Sequence, residues 1–219
     1  MRVKLRYSWC GRIPPCFGRP SEERPEGLEE YLYKLTGRHW GLRGERVYGD
    51  HREAACDAAI LFLTGYDVWL EPLDPPPRRP PELRSWRDLL RYTPWLDRLA
   101  SRIASKRDFD SAFKAAVESL SEMFVASLEQ GGRIDPEALG GYQALAEVFT
   151  HMLEFRLMGF EEGFRELERR RPWVDAAYIA FAPWRLFARH YTRALAELGK
   201  EAGRATLEKI RGLIARRGS

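Results

Sequence analysis

DPEALGGYQALAEVFTHMLEFRLMGFEEGFRELERRRPWVDAAYIAFAPWRLFARHYTRALAEL, residues 135–198, decides the fold. Its three prolines stand at 136, 172 and 183, and between them apolar residues recur at helical rather than strand spacing. Asp135-Pro136 is a helix start signal, an N-cap followed by Pro at the first helical position. The helix it opens is predicted to reach about residue 158, with Gly140-Gly141 as its weak point. A shorter helix is predicted over 161–171, and Pro172 opens another that Pro183 kinks and Gly199 ends.

Working toward the N-terminus, helices are predicted over 85–90, from Thr93-Pro94 to about 106, and from Asp110 or Ser111 to Gly131-Gly132. A last helix is expected over 201–215. Ahead of all of them lies EPLDPPPRRPP, residues 71–81, which continues neither helix nor strand because proline lacks the amide donor and fixes φ. The first nine residues alternate, with Val3, Leu5 and Tyr7 on one side and Arg2, Lys4 and Arg6 on the other, the period of a half-buried strand with a basic outer face. Helices over 28–35 and 51–64, the second capped by Asp50 and stopped by Gly65, precede a strand over 66–70. The expectation is a mainly α protein: a small α+β unit over 1–71, a proline-rich linker over 72–81, and an α-helical bundle over 82–219.

Composition bounds the function. The chain has 219 residues, 44% of them hydrophobic and 31% charged, which suits a globular protein. No run approaches the roughly 20 apolar residues of a membrane span, and no apolar signal core follows the basic N-terminus. A cytoplasmic protein without membrane contact is expected. Asn is absent and only Gln130 and Gln143 carry side-chain amides, while six of the 36 basic residues are Lys and the rest Arg. Loss of thermolabile amides points to a thermophilic prokaryote, or to a virus or plasmid of one. The net charge of +4 gathers at the ends. Residues 1–19 hold five basic side chains and no acid, and residues 199–219 hold six against two acids. Basic ends suit a polyanionic partner.

Several constellations carry candidate chemistry. Arg169, Arg170 and Arg171 beside Trp173, with Lys209, Arg211, Arg216 and Arg217 near the C-terminus, offer cations for phosphates and an aromatic ring for a base. Arginines at 169–171 equally complement the negative end of the helix dipole. Cys10, Cys16, His39 and His51 hold the thiolate and imidazole groups that zinc takes, without a paired-cysteine spacing. A Cys10–Cys16 disulfide and inert thiols are the alternatives, and Cys56 among alanines reads as core. On the helix after 142, Tyr142, Leu145, Phe149, Met152 and Leu153 form an apolar stripe. Glu147, His151 and Glu154 share the opposite face, within reach of one cation or solvated. Arg156 projects into the apolar stripe, where its stem packs or its head meets an anion.

Arg185-Leu-Phe-Ala-Arg-His190 resembles the R-x4-H motif of HEPN-type ribonucleases, which are helical. The resemblance implies metal-independent RNA cleavage by Arg185 and His190 in a site shared across a dimer. The reading that follows from the residues is a non-enzymatic binding protein without a cofactor. It engages nucleic acid or an acidic protein surface through basic termini and a helical bundle, as an oligomer or a subunit of a complex. The ribonuclease and a purely structural subunit are the alternatives.

Overall fold

The computed structural model describes residues 1–11, 24–77 and 93–181. The helices expected at 85–90 and 201–215, and the kink at Pro183, lie outside these residues. Within them the protein is mainly α with a small N-terminal α+β unit. The elements are β1 (Val3–Trp9), α1 (Leu28–Thr36), β2 (Arg43–Tyr48), α2 (His51–Leu63) and β3 (Tyr66–Pro72), then α3 (Thr93–Ala104), α4 (Phe109–Glu129) and α5 (Pro136–Leu139). A 3-10 turn (Gly140–Tyr142) leads into α6 (Gln143–Leu157), α7 (Glu161–Arg170) and α8 (Trp173–Phe181).

The sheet has the order β2-β1-β3 with β1 antiparallel to both neighbours. Alternation along β1 buries Val3, Leu5, Tyr7 and Trp9 on one face. On β3 the partners Leu70, Val68 and Tyr66 are buried with them. β2 was not expected from the sequence. Four of its six residues, RGERVY, are charged or glycine, and only Tyr48 at its end is buried. An edge strand with one core residue carries no apolar alternation to read. The free edge of β3 is covered by a short bridge in which Leu70 and Ile134 exchange amide hydrogen bonds of 2.9 and 3.1 Å.

α2 is the centre of the molecule. Asp50 caps it by accepting from the Arg52 amide at 2.9 Å. Nine of its residues are buried, among them Ala54, Ala55, Ala58, Leu61 and Phe62, so it has almost no polar face. A helix apolar on all sides must be surrounded. The sheet packs on it from one direction and α4 and α6 from another. Apolar residues before and after the proline-rich stretch therefore belong to one core. Gly65 follows α2 at φ +99°, and a Cβ there would stand 2.7 Å from the Gly11 carbonyl oxygen and 2.9 Å from the Trp9 ring.

The helical part follows the start and stop signals with local shifts. α4 begins at Phe109 because Asp108 caps it, accepting from the Ser111 amide at 2.9 Å. Asp135 caps α5 as expected, but Gly140-Gly141 breaks the predicted long helix outright into α5, a 3-10 turn and α6. All five residues of the apolar stripe are buried. Phe149 lies edge-on to Phe109 and Phe113, with ring centroids 5.8 and 5.6 Å apart. Arg156 both packs and pairs: its guanidinium lies over the Phe109 and Phe164 rings and donates to Asp110 at 2.6 Å.

Because Phe149 is fully buried against Phe109 and Phe113 of α4, Phe149→Ala is expected to cost about 3–5 kcal/mol of unfolding free energy in a guanidinium titration. A loss below about 1 kcal/mol would show that this aromatic cluster does not hold the bundle together.

Candidate nucleic-acid interface

The outer face of the sheet is set by the pairing register. Three rows of side chains cross it: Val47–Lys4–Glu71, Glu45–Arg6–Trp69 and Arg43–Ser8–Asp67. Successive residues of a strand point to opposite faces, so the same alternation that sends Leu5 and Tyr7 inward sends Lys4 and Arg6 outward. Arg6 is exposed and Trp69 is half-buried. The Arg6 guanidinium lies over the Trp69 ring, 5.5 Å from its centroid. A shallow depression of about 480 Å³ opens here, lined by Arg6, Tyr7, Arg43, Gly44, Glu45 and Trp69.

Charges on this face divide into paired and unpaired. Arg2 holds Asp74 at 2.8 Å, and Arg133 holds Glu71 at 3.2 Å. Lys4, Arg6 and Arg43 have no carboxylate within ion-pairing distance among the described residues. Glu45 stands directly opposite Arg6 in the register, yet the guanidinium is drawn over Trp69 and makes no ion pair with it. Three free cations, a free carboxylate and an indole ring thus share one accessible surface. Asp67, in the third row, is buried.

On the other side of β2 is a polar knot of a different kind. The Tyr48 hydroxyl donates to Asp57 at 2.6 Å, and the Arg38 guanidinium contacts Asp57 at 3.1 Å and also pairs with Glu53. Burial pushes the Asp57 carboxyl above the usual carboxylate range, although the Tyr48 hydrogen bond and the Arg38 charge pull the other way. Burial, reinforced by the hydrogen bond to Asp57, pushes the Tyr48 phenol up. This group ties the α1–β2 connection and β2 to α2.

The residues singled out by sequence are scattered. Trp173 is fully buried and its indole N–H donates to the Lys106 carbonyl at 3.3 Å, so it is a core residue and not a stacking platform. Arg171 ends α7 in the left-handed region at φ 52° and donates to the Ala104 carbonyl at the end of α3. Arg169 and Arg170 both pair with Glu166 on their own helix, as residues of a last turn do. Arg185, His190, Lys209, Arg211, Arg216 and Arg217 lie outside the described residues. Cys10 is disulfide-bonded and Cys56 is free, while Cys16 lies outside the described residues. His39 stacks on Tyr33 and meets Glu29 at 3.2 Å; His51 meets Glu129 at 3.3 Å on the far side of α2. A disulfide sulfur is not a zinc thiolate, and no group of three potential ligands that could hold a metal occurs among the described residues, Glu147, His151 and Glu154 included.

Arg43, Glu45 and Trp69 went unread in the sequence. The first two belong to the strand without an apolar signal. Trp69 sits in YDVWL, where Tyr66, Val68 and Leu70 face inward and an aromatic residue faces outward, which blurs the alternation. No protein-family model, curated protein or solved structure matches the chain. No helix among the described residues is long and apolar enough to cross a membrane.

The raised Asp57 fixes the sign of one pH effect. The folded protein takes up this proton at a higher pH than the unfolded chain, so the stability it contributes is complete below the ordinary Asp range, near 3.9, and is lost as pH rises through the folded value. The unfolding free energy of the wild type relative to Asp57→Asn is therefore expected to be larger at pH 4 than at pH 7. A difference that is flat, or that grows toward pH 7, would mean that the Arg38 and Tyr48 contacts outweigh burial.

Proposed function

We propose that this protein is a non-enzymatic binder of single-stranded nucleic acid, and that its contact surface is the outer face of the sheet. The observation that carries the reading is the Arg6 guanidinium over the Trp69 ring, flanked by Lys4 and Arg43 without carboxylate partners. Phosphates take the free cations, and a base stacks on the exposed planar groups. The exposed Arg6 guanidinium over the half-buried Trp69 ring suits unpaired bases, which can splay out and lie on aromatic or guanidinium planes. An acidic protein partner would use the cations alike but would leave the Arg6–Trp69 arrangement without a role. The basic N-terminal strand that the sequence marks out is thus the core of the site, and the helix end at 169–171 is not part of it.

The test is binding of a labelled single-stranded oligonucleotide by the full chain across a salt series. Each phosphate contact on a single strand contributes roughly 0.7 to the slope of log affinity against log salt. Removing three contacts with Lys4→Gln, Arg6→Gln and Arg43→Gln together is expected to flatten that slope by about 2. Trp69→Ala is expected to weaken binding by about 1–3 kcal/mol, the scale of one stacked base. Unchanged slope and affinity in these variants would remove the sheet face from consideration.

A further inference from the structure

We infer that Glu45 reads the base at this surface and that it selects guanine. The inference rests on the binding reading above and concerns the same face. A carboxylate on a phosphate-binding surface repels the backbone it serves, so an exposed and unpaired one needs another role. Glu45 is exposed, lies directly across from Arg6, and is left unpaired because Arg6 is drawn toward Trp69. It lines the same depression as both.

The geometry separates the tasks. Neighbouring strands lie about 4.8 Å apart, so Glu45 on β2 and Trp69 on β3 flank Arg6 at a backbone separation of roughly 10 Å. A base laid on the Arg6 guanidinium or the Trp69 ring turns one edge toward Glu45. An ionised carboxylate is acceptor-only and can take two parallel hydrogen bonds. The pairing edge of guanine presents two adjacent donors, N1–H and the 2-amino group. Adenine and cytosine each present one amino donor beside a ring nitrogen that accepts, and that lone pair faces the second carboxylate oxygen. Uracil and thymine place a single N–H between two carbonyl oxygens. Among the common bases, only guanine satisfies both oxygens.

The experiment uses the full chain and a labelled thymidine oligonucleotide carrying one central guanine, hypoxanthine, adenine or cytosine, with uridine-based RNA versions run in parallel. Hypoxanthine keeps N1–H and lacks the 2-amino group. Each protein variant is compared with itself, because removing a carboxylate lifts repulsion for every strand. The wild type is expected to bind the guanine strand about tenfold more tightly than the adenine and cytosine strands, the scale of one bidentate contact, with hypoxanthine between. Glu45→Ala is expected to bring the four affinities together, and Glu45→Gln, which keeps one acceptor, to lose most of the difference. Equal affinities in the wild type, or a guanine preference that survives Glu45→Ala, would overturn the assignment of Glu45 and leave the sheet-face reading standing on its salt slope. Absence of binding by every strand at low salt would overturn both.

Discussion

The burial of α2 joins the sheet to the helices among the described residues. Residues 54–63 present apolar atoms in every direction, and a single layer of secondary structure can cover only one side of a helix. The sheet supplies one cover and α4 with α6 the other. At about 25 cal/mol per Å² of apolar surface withdrawn from water, the covering of one such helix is a main term in the stability of a domain this size. The consequence is a division of labour within the sheet. Its inner face is committed to α2, so β1 is free to carry Lys4 and Arg6 outward.

The polar knot at Arg38, Tyr48, Glu53 and Asp57 belongs to the same scheme. β2 contributes little apolar area and needs another tie to the core. A buried carboxylate is a costly tie unless it is hydrogen-bonded and paired, and Oδ2 of Asp57 meets both the Tyr48 hydroxyl and the Arg38 guanidinium. The knot aligns β2 against β1, and that alignment sets Glu45 across from Arg6 and Arg43 across from Ser8. Packing beneath the sheet thereby decides which charges meet on top of it.

Much of this was legible in the sequence, for reasons that differ by element. β1 announces itself by strict alternation, and α2 by the Asp50 cap and the glycine at 65. The helices after residue 93 are readable from Pro, Asp and Gly punctuation. β2 was not legible, because an edge strand made of Arg, Glu and Gly looks like a loop until its partner is known. The basic outer face of β1 was visible, but half of the candidate site sits on β2 and β3 and depends on register, which no local pattern in this chain specifies. Trp173 misled for the opposite reason. An arginine run beside an aromatic residue resembles a phosphate-and-base site, yet the tryptophan is drawn into the bundle by its area and satisfies its N–H on the Lys106 carbonyl just past α3.

The central strand is also the first to be made. β1 touches β2 and β3 on either side, and both follow it in the chain, β3 beginning at Tyr66. At roughly 5–20 residues per second of translation, Trp9 leaves the ribosome several seconds ahead of the strand that completes its pairing. Until β2 and α2 follow, Val3, Leu5, Tyr7 and Trp9 have neither a neighbouring strand nor α2 to lie against. The nascent chain thus displays an apolar strand face early, and Lys4 and Arg6 of that strand keep it charged while it waits. The residues proposed to meet nucleic acid in the finished protein serve first as gatekeepers against aggregation.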